Sequence, residues 1–437
     1  MTLTQAARTH QGEQSFYPRW TQLNDCLVLC REFWQPMPFV TPAPAWARRF
    51  PELAGMLAGL SDDDCEYLAE NPIELAAQVS RWLPCLESYP EMVRLPDLLP
   101  SAEKASEATL PEVRATDMPG RKRLQSGAFA AALTPLAHST LDWCCGKGHL
   151  SRTLAPFCRG EVRGFEWNPE LVRDGLRLAR HFGDRVNIGC QDVMAPDLEL
   201  PEGYHGVALH ACGDLHRRLL KRGSEAALPR LSISPCCYHL TDTDHYQLLS
   251  EQASGYQAAL QPDRSDLRLA VQETVTAPAR VRRQTRLVRQ WRLGFDGLQR
   301  HLRGRDEYLP VPSHPASLLN EGFPAFCRWA AAQKHLELPG TIDFDHWLAF
   351  GTHRLQEVRR HELVRHLFRR PLELWMVFDY ALFLEEQGYR VRLGQFCDRS
   401  LTPRNLLLDG IRVSPLLPEK EKAPGGALSI TQVATGT

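Results

Sequence analysis

A chain of 437 residues exceeds what one hydrophobic core usually organises, so at least two structural units are expected, one ample for an enzyme-sized α/β core. With 43% hydrophobic residues, 24% charged residues and a formal net charge of −1, the composition excludes a disordered or fibrous protein and sets up no global field for nucleic acid. Met1 to Phe16 lacks a secretion-signal pattern, and no apolar run approaches the ~20 residues that span a bilayer. The 13 cysteines include the neighbours Cys144/Cys145 and Cys236/Cys237, which suit free thiols in a reducing compartment. A cytoplasmic protein without a membrane partner is expected.

From Trp20 to Pro90, apolar residues recur at helical spacing, as in Leu53, Leu57 and Leu60, or Leu75, Val79 and Leu83, and predict a helical N-terminal domain. The aperiodic stretch from Pro96 to Pro119 reads as a linker, so residues 1–115 form the first unit. From Thr140 the pattern becomes short β-type runs separated by helices: Thr140 to Trp143, Glu161 to Glu166, Arg185 to Cys190, Gly206 to Ala211 and Leu231 to Ser234. Such alternation implies a parallel sheet with crossover helices, and residues 116–255 are its first part. Asn168 can cap the helix after the second strand, with Pro169 in its first turn. Residues 256–370 read as an Arg-rich helical insertion. The core then resumes over 371–415 with an amphipathic helix from Leu372 to Gln387, ended by Gly388, and strands from Tyr389 to Phe396 and Asn405 to Ile411. Residues 416–437 are a tail.

The segment from Leu141 through Asp142, Cys144, Gly146 and Gly148 to Ser151 is a strand entering a glycine turn and opening a helix. Gly146 and Gly148 let backbone approach a bulky ligand where open α/β sheets bind theirs. The second strand ends in Glu166, 18 residues beyond Gly148, where a carboxylate can accept both hydroxyls of a ribose. At the third strand end, Asp192 and the backbone amide of Val193 can read an adenine edge. Glycine turns also open dinucleotide-binding folds and purely structural turns. The dinucleotide fingerprint wants a third glycine where Ser151 stands, which makes NAD the weaker candidate.

The ordered series DWCCGKGHLS, GFEWNPEL, QDV, ALHACGDLH and SPCCYHL, followed by LEEQGYRV and LTPRNLLL, resembles a family of S-adenosylmethionine (SAM) dependent methyltransferases. That family includes the methyltransferase domain of glutathione S-transferase C-terminal domain-containing protein and its bacterial relatives. The resemblance implies an α/β, doubly wound, seven-stranded Rossmann-like sheet whose last two strands form an antiparallel hairpin. It assigns Asp142, Gly146 and Gly148 to the methionine side of SAM, Glu166 to its ribose and Asp192 with Val193 to its adenine. Cys144 stands where the commonest pattern has glycine, a departure at a position that would touch the cofactor. His210, at the fourth strand end, is expected against the cofactor and the reacting centre.

His210 and His239 are candidate general bases, because imidazole titrates near neutrality, and Tyr238 could stack on or hydrogen-bond an acceptor. The bland reading is that histidines at strand ends are hydrogen-bonded structural residues. His210, Cys212, Cys236, Cys237 and His239 include the ligand types of a tetrahedral zinc site. Adjacent cysteines are expected to point in different directions, so no metal is assigned. Nine arginines against one acid, Asp296, lie between Arg280 and Arg305, with six more from Arg354 to Arg370. They are read equally as a phosphate-binding surface and as a solvated helix face. Arg121, Lys122 and Arg123 sit at the expected pocket mouth. Similar Cys-Cys-His segments in a family of tRNA ribose methyltransferases point by analogy to an RNA acceptor. A protein acceptor and a non-catalytic SAM-fold binding module are the alternatives.

Overall fold

The computed structural model describes residues 16–272 and 278–413, so the expected tail at 416–437 lies outside the described residues. Seven strands form one sheet: β1 (Thr140–Trp143), β2 (Val162–Glu166), β3 (Val186–Cys190), β4 (His205–Leu209), β5 (Arg230–Ser234), β6 (Tyr389–Gln395) and β7 (Leu406–Arg412). Their order is β3-β2-β1-β4-β5-β7-β6. Strands β1 to β5 are mutually parallel, and β7 runs antiparallel to both β5 and β6. The order reverses beside β1, so a crevice opens at the carboxyl ends of β1 and β4, the place where such sheets hold ligands.

The helices that position the site are α1 (Phe16–Leu29), α2 (Asp62–Glu70), α3 (Ala102–Ala108), α4 (Gly120–Leu133), α5 (His149–Leu154), α6 (Pro169–Phe182), α7 (Asp214–Glu225), α8 (Ala279–Arg303), α9 (Phe323–Gln333), α10 (Phe344–Leu367) and α11 (Arg369–Glu386). Among the described residues, no helix is long and apolar enough to cross a membrane. Asn168 caps α6 by accepting from the Glu170 amide at 2.9 Å, with Pro169 at its first position and Gly183 closing it in a left-handed conformation.

Strand alternation sends side chains to two cores. Phe129, Leu133, Leu150, Leu154, Val207 and Leu407 fill one face. Ala208, Leu231, Ile233, Leu406 and Leu408 fill the other, together with α11 and the N-terminal helices. The ring of Trp20 on α1 stacks on Trp375 of α11, centroids 5.9 Å apart. The helix expected to be amphipathic is therefore buried nearly all round, because α1 covers the face that would otherwise meet water. The helical N-terminal region shares the sheet's core. The insertion has a core of its own around Trp291, Phe295, Phe323 and Phe326.

The stretch read as a linker is ordered. Gln395 on β6 donates to Pro96 O at 3.1 Å and accepts from Leu98 N at 2.8 Å, and α3 follows. Pairing with the free edge of β6 satisfies this backbone, and side-chain periodicity carries no sign of it.

Candidate functional site

Three positive φ angles build the turn after β1: Cys144 at 58°, Gly146 at 56° and Gly148 at 68°. Cys144 occupies the left-handed conformation for which its family position uses glycine, so the turn keeps its shape at the cost of backbone strain. Gly148 starts α5, and a Cβ there would lie 2.8 Å from the Ile188 side chain.

Glu166, at the tip of β2, faces this turn. One carboxylate oxygen accepts from Gly146 N and the other from Asn168 N, each at 3.0 Å. The acid thus ties the tips of β1 and β2 together, and it is 5% exposed. Asp142 lies beneath the turn, 2% exposed, and accepts from the Ser151 hydroxyl at 2.6 Å. Desolvation raises its pKa to about 7 against the opposing Ser151 bond, and Glu166 adds a like charge. In this structure Asp142 holds α5 against β1 through Ser151. Ser151, noted in the sequence for the glycine it replaces, is the residue it holds.

Asp192 is exposed beyond β3, where one oxygen accepts from Met194 N at 2.8 Å. Val193 turns its side chain into the core at 4% exposure, so only its backbone faces the crevice. Two large apolar side chains stand in the open beside Asp192: Trp167, 71% exposed, and Met194, 44% exposed. The sequence reading assigned neither. An aromatic directly after the acid at the second strand end was the signal available.

At the tip of β4, His210 has φ of 68°, and its Nε2 lies 2.9 Å from Gln125 Oε1. An amide oxygen only accepts, so Nε2 carries the proton and Nδ1 is the unprotonated nitrogen. Desolvation in the cleft lowers the His210 pKa, and the charges of Lys122 and Arg404 lower it further. The imidazole is therefore neutral at neutral pH. Gln125, on α4, is 3% exposed and its Nε2 has no hydrogen-bond partner among the described residues. Nothing in the sequence singled it out, because it lies 85 positions from the histidine it meets.

Tyr238 departs from its expected role. It is 3% exposed, and its hydroxyl is 3.2 Å from Glu373 Oε1 on α11, so it anchors the turn after β5 to the helix behind it and presents no face to an acceptor. His239 is half-buried, with Nδ1 lacking a partner among the described residues.

The arginines of the insertion are largely engaged within the protein. Arg286 and Arg359 meet Asp62 on α2, Arg289 meets Glu362 at 2.7 Å, and Arg365 donates to Trp34 O at 2.9 Å. Arg354 and Arg360 donate to Pro38 O and Leu60 O. These contacts bind α8 and α10 to the N-terminal helices. These arginines of the expected phosphate-binding surface from Arg280 to Arg305 and Arg354 to Arg370 thus have partners within the protein. Arg280 and Arg283 remain exposed at the start of α8.

Convergent strand tips, a carboxylate at the second strand, an open purine-sized apolar flank and a spare buried amide donor fit a ligand with adenosine at one end and an amino acid at the other. Residues 130–244, which carry the strand tips, the carboxylate and the apolar flank, match the family model described as a methyltransferase domain.

Among solved structures, the chain is similar to magnesium protoporphyrin IX methyltransferase from Synechocystis PCC 6803 with bound SAH. The identity is 18%, covering 26% of this chain and 55% of that one, with a TM-score of 0.22. It is also similar to Pyrococcus abyssi tRNA (uracil-54, C5)-methyltransferase in complex with S-adenosyl-L-homocysteine, at 19% identity, 25% of this chain, 28% of that one and a TM-score of 0.21. The matched region thus spans about half of the first neighbour and less of the second. No curated protein matches the chain.

Proposed function

We propose that this protein transfers a methyl group from S-adenosylmethionine to RNA, in the crevice between the tips of β1 and β4. The observation that carries the reading is His210, neutral and with Nδ1 unprotonated, within the field of the cations Lys122 and Arg404 and one strand away from the Glu166 turn. When bound, S-adenosylmethionine supplies a sulfonium-activated methyl group. The chain's own residues then hold the cofactor through Glu166, Asp192 and the glycine turn, and orient the acceptor. His210 takes the proton of a hydroxyl or amine acceptor at Nδ1. The cationic rim suits a phosphate-bearing acceptor better than a neutral one, since Lys and Arg contacts set the register of a nucleic-acid backbone.

The test incubates the full chain with methyl-labelled S-adenosylmethionine and separated tRNA, rRNA and protein fractions from cells lacking the gene. Label is expected in an RNA fraction, and binding to that RNA should weaken steeply with added salt. His210→Asn is expected to lower the transfer rate roughly 100-fold with cofactor affinity unchanged. The wild-type rate should fall only on the acid side, with its midpoint below the ordinary histidine range, because protonation removes the acceptor nitrogen. Label confined to the protein fraction would replace RNA with a protein acceptor. The absence of label in every fraction would leave a binding module.

A further inference from the structure

We propose that Cys212, Cys236 and Cys237 form a zinc site at the carboxyl ends of β4 and β5, a site that methyl transfer by itself does not require. Their sulfur atoms all lie within 4.8 Å of one another. The Cys212 and Cys236 sulfurs are 3.7 Å apart. Zinc–thiolate bonds of about 2.3 Å at tetrahedral angles separate two sulfurs by roughly 3.7 Å, so this pair already stands at the edge length of a zinc tetrahedron. A disulfide would need them at about 2.05 Å.

The objection that neighbouring cysteines diverge holds for an extended strand, and the backbone here is not extended. Cys237 has φ of 50°, a left-handed turn that gathers consecutive side chains to one side. Two loops are zipped together around the sulfurs: Gly213 N donates to Cys236 O at 3.0 Å, Asp214 N to Leu240 O at 3.0 Å and Leu240 N to Cys237 O at 2.8 Å. Gly213 makes this possible, because a Cβ there would lie 1.9 Å from Leu240 O.

Cysteines serving as small apolar filler are wholly buried. Only Cys236 is, at 3% exposure, while Cys212 and Cys237 are half-open to the crevice. The positive charge of Arg404 acts on both of these residues and would offset the excess negative charge of three sulfurs on a divalent ion. His239, two residues beyond Cys237, is outside the sulfur cluster, and its Nδ1 has no hydrogen-bond partner among the described residues, which leaves the fourth position to it or to water.

The molecule contains its own control. Cys26, Cys30 and Cys85 also cluster within 4.8 Å, but in the apolar core, with Cys30 and Cys85 sulfurs at 3.3 Å, closer than that edge length.

The experiment loads the full-length protein with zinc alone, measures retained metal by mass spectrometry after gel filtration, and repeats the loading with cobalt. Metal stoichiometric with the chain and a thiolate-to-cobalt charge-transfer band in the near ultraviolet are expected. Cys212→Ser and Cys237→Ser should each abolish the band, and Cys85→Ser should keep it, with circular dichroism confirming that each variant is folded. Wild-type protein that shows no thiolate band, or a band that disappears with Cys85 and survives the other two changes, overturns the proposal. Where a variant of the strand-end cysteines fails to fold, Cys85→Ser alone decides: a band that it keeps supports the strand-end site, and a band that it removes overturns it.

Discussion

Glu166→Ala is expected to weaken S-adenosylmethionine binding roughly 100-fold in isothermal titration, the loss of two charge-assisted hydrogen bonds of about 1.5 kcal/mol each. Each oxygen of this carboxylate holds one backbone amide, Gly146 N or Asn168 N, and keeps further acceptor capacity for a ligand hydroxyl. Removing it takes away the clasp between the first two strand tips and, on the proposed reading, two ribose contacts. Glu166→Gln separates these effects. The amide keeps one acceptor for the turn and loses the charge, so its affinity should fall between wild type and alanine. Melting temperatures measured without cofactor report the clasp alone. Affinity that does not change in either variant would place the ribose elsewhere.

The largest expected effect on stability lies away from the crevice, at Asp409 on β7. This carboxylate is fully buried and accepts from Arg230 Nε at 2.8 Å and Nη2 at 3.0 Å, Arg392 Nε at 2.6 Å and the Ser232 hydroxyl at 2.6 Å. Asp409→Ala leaves the buried Arg230 guanidinium without its counter-charge, held only by the carbonyls of Leu133 and Pro135, which should destabilise the fold by about 3–5 kcal/mol, visible as a lower denaturation midpoint. Burial alone would raise the Asp409 pKa; the bond and charge of Arg230, with Arg392 and Ser232, outweigh it and hold the group well below the usual carboxylate range. In the acid window between the folded and unfolded values, the unfolded chain binds the extra proton. The contribution of Asp409 is therefore complete above the ordinary carboxylate pKa and is lost as pH falls below it. The gap between wild type and variant should narrow at acid pH. Equal midpoints at neutral pH would show that the cluster carries no net stability.

Much of this architecture was legible because the strands are short apolar runs whose ends carry chemistry. Glu166 and the Asn168-Pro169 pair mark the end of β2 and the start of α6 by local rules alone. Other features depend on residues distant in the chain. The pairing of residues 96–98 with β6 joins segments about 300 positions apart and leaves no periodic trace in either. Gln125 meets His210 only because α4 packs beneath β4. Tyr238 looked available because the sequence does not reveal Glu373 behind it. The arginine-rich stretches read as ligand-facing because the acids that neutralise some of them, Asp62 and Glu66, lie far upstream on α2.

The common core of the N-terminal helices and the sheet makes the enzyme fold a poor candidate for transplantation. The stretch that matches the methyltransferase domain model, 130–244, ends before β7, so on its own it would leave β5 as a raw sheet border with its backbone hydrogen-bonding groups unpaired. Fused to another protein as a portable cassette, it should precipitate. The helices at the front of the chain and the hairpin at its far end would have to travel with it, which restricts how such a chain can be shuffled into new arrangements.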